Sequence, residues 1–161
     1  MARKETCKAT VLDWIIDSGT SAHMSSQHKW FTTYHPLVPP ESVTIGNGES
    51  IPAIGIGHVS INLKLGNNRT MTTVIQDVYY MPDLDGNLLS ISYLAKFNLE
   101  VIFGRDSCRI LDRNEAVGKG YKKNSLYLLA AMPCLEEQMA YIVNGPSVFL
   151  NPELPLTALA S

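Results

Sequence analysis

Short runs in which apolar and polar residues alternate fill the first two thirds of the chain, and they predict β-strands. The first run covers residues 9–16 and leads directly into Asp17. The pair Asn47-Gly48 stands between two extended runs and is the strongest hairpin signal in the chain. Residues 23–37 show no clear period and are predicted to be irregular. The pattern therefore predicts a mainly β domain with a long hairpin whose tip lies near residues 46–48.

One stretch departs from strand alternation. Residues 87–98 place apolar side chains at three- and four-residue spacings, which predicts a helix. Residues 99–112 then read as a closing hairpin. Beyond it the pattern weakens, so we expect four parts: an N-terminal extension over 1–8, a domain over 9–111, one possible extra hairpin over 112–132, and a tail or linker over 133–161.

Composition narrows the function. The chain has 161 residues, of which 45% are hydrophobic, enough for one domain with a real core. A formal net charge of −2 argues against nucleic acid as the main partner. No apolar run has the length of a membrane span, and the first residues lack the apolar core of a signal peptide. We therefore expect a cytoplasmic protein with no membrane partner.

The cysteines and histidines do not form a recognisable metal site. Cys7, Cys108 and Cys134 are odd in number and widely spaced, so neither a disulfide framework nor a zinc site is predicted. His23 follows the first strand closely, but its spacing from Cys7 and from His28 does not suit zinc. A histidine that hydrogen-bonds nearby loop backbone is favoured. No metal and no cofactor are expected.

The candidate chemistry lies where the first strand ends, at Asp17-Ser18-Gly19. An aspartic protease needs two carboxylates that share a proton: one activates water while the other protonates the scissile carbonyl. A rigid strand end suits the carboxylate, the hydroxyl of Ser18 can bond across to a partner loop, and Gly19 permits close approach. Thr20 adds a second hydroxyl. The triplet alone also fits a simple β-turn capped by Asp17.

The chain contains one such triplet. Six other aspartates lack a following hydroxyl-Gly pair: Asp13, Asp77, Asp83, Asp85, Asp106 and Asp112. One chain therefore supplies one carboxylate, and the second must come from another copy across a two-fold axis. The sequence predicts a homodimer.

Several ordered blocks resemble one family. The blocks WIIDSGTSAHM, VTIGNGESIPAIGIGHVSI, VIQDVYYMPDLDGNLLSISYL and LEVIF resemble the protease region of copia-type LTR-retrotransposon polyproteins, and SLYLLAAM resembles the segment that follows toward the integrase. The resemblance implies a retroviral-type aspartic protease fold: a small closed β-domain with one short helix, a flap hairpin and a dimeric active site. It also implies an endopeptidase that processes its own Gag-Pol polyprotein, in the cytoplasm within virus-like particles.

The resemblance assigns residues as follows. Asp17 matches the catalytic aspartate, in an active-site loop completed by Ser18, Gly19 and Thr20. The flap that closes over a bound peptide corresponds to Ile45, Gly46, Asn47, Gly48, Ile54 and Ile56. A second signature, which packs beneath the loop, corresponds to Leu88, Leu89 and Ser90, and Ser90 stands where retroviral enzymes have glycine.

Two further interpretations belong with this one. Gly55 and Gly57 are read as a source of flap flexibility, since a nucleotide-binding loop would need a following helix. A domesticated or inactive copy that dimerises and binds peptides without cutting them is the alternative function. The intact triplet and hairpin favour the enzyme.

Overall fold

The computed structural model describes residues 9–134, and the predictions for residues 1–8 and 135–161 lie outside this range. Eleven strands join in one sheet, with a single short helix among the described residues. The predicted mainly β fold with one short helix is therefore confirmed. The elements are β1 Trp14–Asp17, β2 His23–Ser25, a 3₁₀ turn His28–Trp30, β3 Phe31–Thr44, β4 Ser50–Gly66, β5 Arg69–Tyr80, β6 Asn87–Ser90, α1 Ile91–Ala95, β7 Leu99–Phe103, β8 Ser107–Asp112, β9 Glu115–Lys123, β10 Leu126–Leu129 and β11 Ala131–Pro133.

The first strand lies in the middle of the sheet. The strand order of the sheet is β11-β4-β5-β2-β6-β1-β10-β9-β8-β7, and β3 joins the sheet by pairing with β4. β1 runs parallel to β6 and antiparallel to β10. Alternate residues of β1 are buried, with Trp14 and Ile16 in the main core beside Leu89, Ile110 and Leu129. Neighbours on both sides and a buried face hold the end of β1, and with it Asp17, in a fixed place.

A second, smaller core lies against the β3–β4 hairpin. It contains Met24, Ala53, Met81 and Leu84, and Ile45 from the hairpin loop packs against it. The hairpin is thus anchored by apolar contacts near its tip as well as by its strand pairing.

Two predicted elements differ from the structure. The stretch 23–37 is not irregular: it contains β2, the 3₁₀ turn and the start of β3, whose order comes from pairing with β4 and β5. The helix predicted over 87–98 is replaced at its start by β6, because Asn87 and Leu88 pair with β1 on one side and with β2 on the other. Ser90 then accepts a hydrogen bond from the Tyr93 N–H and begins α1, which has five residues.

The sheet continues across residue 111. The hairpin considered possible over 112–132 is formed by β9 and β10, and Ile15 of β1 pairs with Leu128 of β10. β11 returns to pair with β4. The strands on both sides of residue 111 therefore contribute to one sheet.

The glycines of β4 have a packing role. A Cβ on Gly57 would lie 1.9 Å from the backbone oxygen of Thr33, and one on Gly55 would lie 2.2 Å from the Tyr34 ring. These glycines permit the close approach of β3 to β4, which differs from the flexibility read from the sequence.

We expect Gly57→Ala to lower the free energy of unfolding by at least about 2 kcal/mol, because the backbone of β3 must move to admit the methyl group. Urea unfolding measures this. Gly46→Ala is the matched control in the same hairpin: a Cβ there meets nothing within 4 Å, so the change should stay within about 0.5 kcal/mol. Equal stability of the two variants would contradict the close approach.

Candidate active site

The loop after β1 is tied by its own hydrogen bonds. The Gly19 N–H donates to Asp17 Oδ1 at 2.7 Å, and Thr20 Oγ1 donates to the Ala22 oxygen at 3.2 Å. Thr20 is buried, whereas Asp17 is half-buried and Ser18 is exposed. Among residues 9–134 the Ser18 hydroxyl has no hydrogen-bond partner. The loop thus holds one carboxylate in a set orientation and presents one unpaired hydroxyl beside it.

The second signature lies directly alongside this loop. β1 and β6 pair in parallel with Ile15 opposite Leu88, Ile16 opposite Leu89 and Asp17 opposite Ser90. Ser90 Oγ donates to the Thr20 oxygen at 2.7 Å. The structure therefore brings together the two segments that the sequence separates by some seventy residues, and it connects them by a buried hydrogen bond.

The hairpin tip approaches the same loop. Gly46 Cα lies 4.0 Å from the position that a Cβ on Gly19 would occupy. The tip is closed by bonds from Ile45 N to the Glu49 oxygen and from Gly48 N to the Ile45 oxygen, both 2.9 Å. Asn47 Oδ1 accepts from the Glu49 N–H at 2.8 Å. The tip of the β3–β4 hairpin therefore lies close to the loop after β1.

The turn at this tip is not the two-residue type that Asn-Gly usually forms. Gly48 has φ +87°, but Asn47 does not adopt a positive φ. The Asn47 side chain accepts from the backbone instead, within the loop 45–49. Ile54 and Ile56, also predicted for the flap, lie half-buried on β4.

An open apolar cleft of about 680 Å³ adjoins Asp17. Its lining combines the loop with β6, α1, the end of β7 and the start of β10: Ile15, Ile16, Asp17, Ser18, Leu88, Ile91, Phe103, Asn124, Ser125, Leu126 and Tyr127. The Phe103 and Tyr127 rings meet edge to face at 4.7 Å, and Tyr127 Oη donates to the Gly104 oxygen at 2.7 Å.

A second cleft of about 450 Å³ lies beside the residues that follow the loop and is more polar. It runs from Ser21 and Ala22 to the hairpin arm at Val43 and Thr44. Its walls carry Glu41, Asp77, Tyr79, Tyr93 and Lys96. A hydrogen bond to Glu41, together with burial, raises the pKa of Tyr79 to about 12, and Tyr93 Oη donates to Asp77 Oδ2 at 2.5 Å. Segment 17–22 therefore lines an apolar cleft at its start and a more polar cleft at its end.

The sequence did not point to the residues that β7 and β10 contribute. Phe103 is 43% exposed although it ends an alternating strand, and this unusual exposure is visible only in the structure. Leu126 and Tyr127 reach the cleft because β10 pairs with β1, a long-range contact without a local signal.

His23 lies on β2 and is fully buried, so it is not a loop residue. The expected bond to backbone exists, since its Nδ1 accepts from the Ser90 N–H at 3.0 Å. Burial lowers the pKa of His23 to about 3, which keeps the imidazole neutral over the physiological range.

Residues 9–134 contain neither a cluster of metal-binding side chains nor a membrane-spanning helix. Within residues 9–134, no three His, Cys, Asp or Glu side chains lie together in a way that would hold a metal ion. Over the same range, no helix has the length and apolar character needed to cross a bilayer.

Comparison with known proteins gives transposon relatives. The chain is 28% identical over 127 residues to the "Retrovirus-related Pol polyprotein from transposon TNT 1-94" of Nicotiana tabacum, covering 78% of this chain and 9% of that protein. It is also 28% identical over 118 residues to the "Retrovirus-related Pol polyprotein from transposon RE2" of Arabidopsis thaliana, covering 71% of this chain and 8% of the relative. A third relative, the "Putative transposon Ty5-1 protein YCL075W" of Saccharomyces cerevisiae, is 34% identical over 79 residues, which are 49% of this chain and 47% of that protein.

The chain thus spans less than a tenth of the length of either plant relative. No solved structure is significantly similar to it. The model of one family, described as "Pol polyprotein, beta-barrel domain", matches residues 14–99, from β1 to the first residue of β7. Since this match covers more than half of the 161 residues, the chain belongs to the family of Pol polyprotein β-barrel domains.

Proposed function

We propose that this domain is an aspartic endopeptidase that acts as a homodimer and cleaves the polyprotein from which it derives. The observation that carries the proposal is the Asp17-Ser18-Gly19 loop. Its carboxylate is held by the Gly19 N–H at 2.7 Å, and the hairpin tip lies close to the same loop, with Gly46 Cα 4.0 Å from the position that a Cβ on Gly19 would occupy. This arrangement combines a fixed acid–base group with a cover that can exclude water.

The chemistry uses two such loops. In the dimer, the two Asp17 carboxylates share one proton, because ionising both of two adjacent carboxyl groups would place two negative charges side by side. The ionised carboxylate removes a proton from water, which attacks the scissile carbonyl, while the protonated one donates to the carbonyl oxygen. The intermediate then collapses: the carboxyl that took the proton from water gives it to the leaving nitrogen, and the other carboxylate takes back the proton from the hydroxyl formed at the carbonyl oxygen.

The second subunit is required because each chain contributes one triplet. The exposed Ser18 hydroxyl, which has no partner among residues 9–134, is available to bond across the two-fold axis. The Asp17 loop sits at an open surface beside the apolar cleft, where another copy can approach.

The substrate class follows from the shape of the site. An extended peptide between the hairpin tip and the loop would exchange backbone hydrogen bonds as an added strand. The apolar cleft beside Asp17 suits an apolar side chain next to the scissile bond, and the polar cleft suits a polar residue farther away. Membership of a Pol polyprotein family, with relatives named as transposon Pol polyproteins, supports a polyprotein as the natural substrate.

The test is hydrolysis of peptides that span the junctions of the parent polyprotein, followed by mass spectrometry. We expect cleavage at discrete sites, inhibition by a statine-containing peptide that mimics the tetrahedral intermediate, and no effect of a chelator. Dimers that bind the peptides and leave them whole would instead establish the non-catalytic alternative. Loss of cleavage with a chelator and rescue by zinc would refute the carboxylate mechanism.

Dilution provides a separate prediction. Specific activity should fall as the protein is diluted through its dimer dissociation constant, because a monomer holds half a site. Ser18→Ala should shift this transition to higher concentration by about fivefold or more, since it removes a hydrogen bond proposed to cross the interface. Ser26→Ala, a serine substitution away from the loop, serves as the control. Sedimentation that finds a fully active monomer would contradict the dimer.

A further inference from the structure

Ser90, the strand neighbour of Asp17, is held by a histidine that the proposed chemistry does not use. His23 begins β2 and is 0% exposed. Its Nδ1 accepts a hydrogen bond from the Ser90 N–H at 3.0 Å. The ladder between β2 and β6 ends at the pair Met24–Leu88, so this amide lies beyond the last backbone pair. The imidazole therefore satisfies a buried donor that the backbone of β2 leaves without a partner.

Ser90 in turn connects three parts of the site. It is paired with Asp17 in the parallel register of β1 and β6. Its Oγ donates to the Thr20 oxygen at 2.7 Å and accepts from the Tyr93 N–H at 3.0 Å, which caps α1. A change in the position of Ser90 would therefore move the Thr20 carbonyl, which belongs to the active-site loop.

The other side of the imidazole shows that this contact has a cost. Because Nδ1 accepts, the proton of the neutral ring is on Nε2. Nε2 has no hydrogen-bond partner among the described residues, and the nearby Tyr93 ring lies 4.6 Å away, centroid to centroid. A buried donor without a partner is destabilising. An apolar side chain of similar size would avoid that cost, and what it would lose is the acceptor at Nδ1.

We propose that His23 is a positioning residue of the active site, whose neutral imidazole holds Ser90 and, through Ser90, the loop that carries Asp17. This rests on the function proposed above. Loss of the Nδ1 acceptor would displace the reacting carboxylate and lower kcat. KM would change little, because His23 lines neither cleft and lies below the loop that meets the substrate.

Three substitutions separate the acceptor from the packing. In His23→Asn the amide oxygen falls near the Nδ1 position and can accept from Ser90. In His23→Gln the oxygen falls near Nε2, and in His23→Leu there is no acceptor. We expect the Gln and Leu variants to lose at least about tenfold in kcat with KM within about twofold, and Asn to stay within about threefold of wild type.

A folded Leu variant with wild-type kcat would overturn the proposal, as would an Asn variant as impaired as Leu. If His23→Leu fails to fold, the Asn and Gln pair decides, because both side chains are polar and differ in where the oxygen lies. Circular dichroism and thermal unfolding establish which variants are folded.

A second measurement does not depend on hydrolysis. The Ser90 amide should exchange with solvent as slowly as that of Leu89 in the wild-type protein, and at least about tenfold faster in the Leu variant. Fast exchange of the Ser90 amide in the wild-type protein would remove the basis of the proposal. If the wild-type protein cuts no peptide while the Ser90 amide is protected by His23, the protease assignment fails and the contact stands.

Discussion

Asp17→Asn should abolish peptide hydrolysis, with a loss in kcat of about a thousandfold or more, and should leave the fold intact. The loss follows from the chemistry: an amide neither removes a proton from water nor shares one with the partner carboxylate. The fold should survive because the Asn oxygen can still accept from the Gly19 N–H, the contact that Asp17 Oδ1 makes at 2.7 Å. Peptide cleavage and thermal unfolding, measured on the same preparation, test both parts.

Asp106→Asn is the matched control. Asp106 is also followed by serine, but it is exposed on the turn between β7 and β8 and lies outside both clefts. This variant should cleave at the wild-type rate. An Asp17→Asn protein that retains wild-type turnover would end the protease assignment, and one that loses its fold would show that the charge itself is structural.

The parts of the site that are contiguous in sequence were predictable. Asp17, Ser18 and Gly19 lie in a single turn, and Asn47-Gly48 marks a hairpin tip whatever the partner strands are. The triplet was predicted at the end of a strand and Asn47-Gly48 at a hairpin tip, and both are found there. The hairpin turn, however, uses the Asn47 side chain in place of two positive φ angles.

The parts that depend on long-range pairing were not predictable. Leu88 and Leu89 form a short apolar run that suits a helix or a strand equally well, and insertion between β1 and β2 decides for the strand. The position of β10 beside β1 depends on two segments far apart in the chain. Whether His23 is buried is likewise decided by the strands that surround it, since its neighbours in sequence mix polar serines with the apolar Ala22 and Met24 and do not indicate burial.

Burial of a neutral His23 should also make the fold sensitive to acid. Burial lowers its pKa to about 3, against 6.5 in the unfolded chain. Between these values the unfolded state binds the extra proton, so the free energy of unfolding falls as pH falls from about 6.5 to about 3. The stabilisation linked to the neutral His23 is fully present above the pKa of the unfolded chain. It is lost as the pH falls, and the loss is complete below the pKa of the folded protein. Its slope approaches about 1.4 kcal/mol per pH unit within the window.

His23→Asn isolates this effect because asparagine does not titrate. Other groups contribute in both proteins, including His58, whose pKa is lowered mainly by its burial. The difference in free energy of unfolding between wild type and variant should therefore shift in favour of the variant by about 2 kcal/mol from pH 7 to pH 5. Urea titrations at half-unit intervals of pH measure it. Parallel curves for the two proteins would show that His23 is protonated in the fold as readily as in the unfolded chain.

This sensitivity should set the acid limit of activity. A carboxylate pair that works with one shared proton favours mildly acidic conditions, because the reaction needs one of the two carboxyl groups protonated. The free energy of unfolding, by contrast, falls as the pH falls below about 6.5, because His23 binds a proton in the unfolded state. We therefore expect wild-type cleavage below about pH 5 to decay during the assay, while His23→Asn keeps a constant rate under the same conditions. Progress curves at pH 4.5 and pH 6 separate the two effects, because a chemical limit lowers the initial rate and unfolding shortens the time over which that rate is held. Linear wild-type progress curves at both pH values would show that the carboxylate pair alone sets the acid limit.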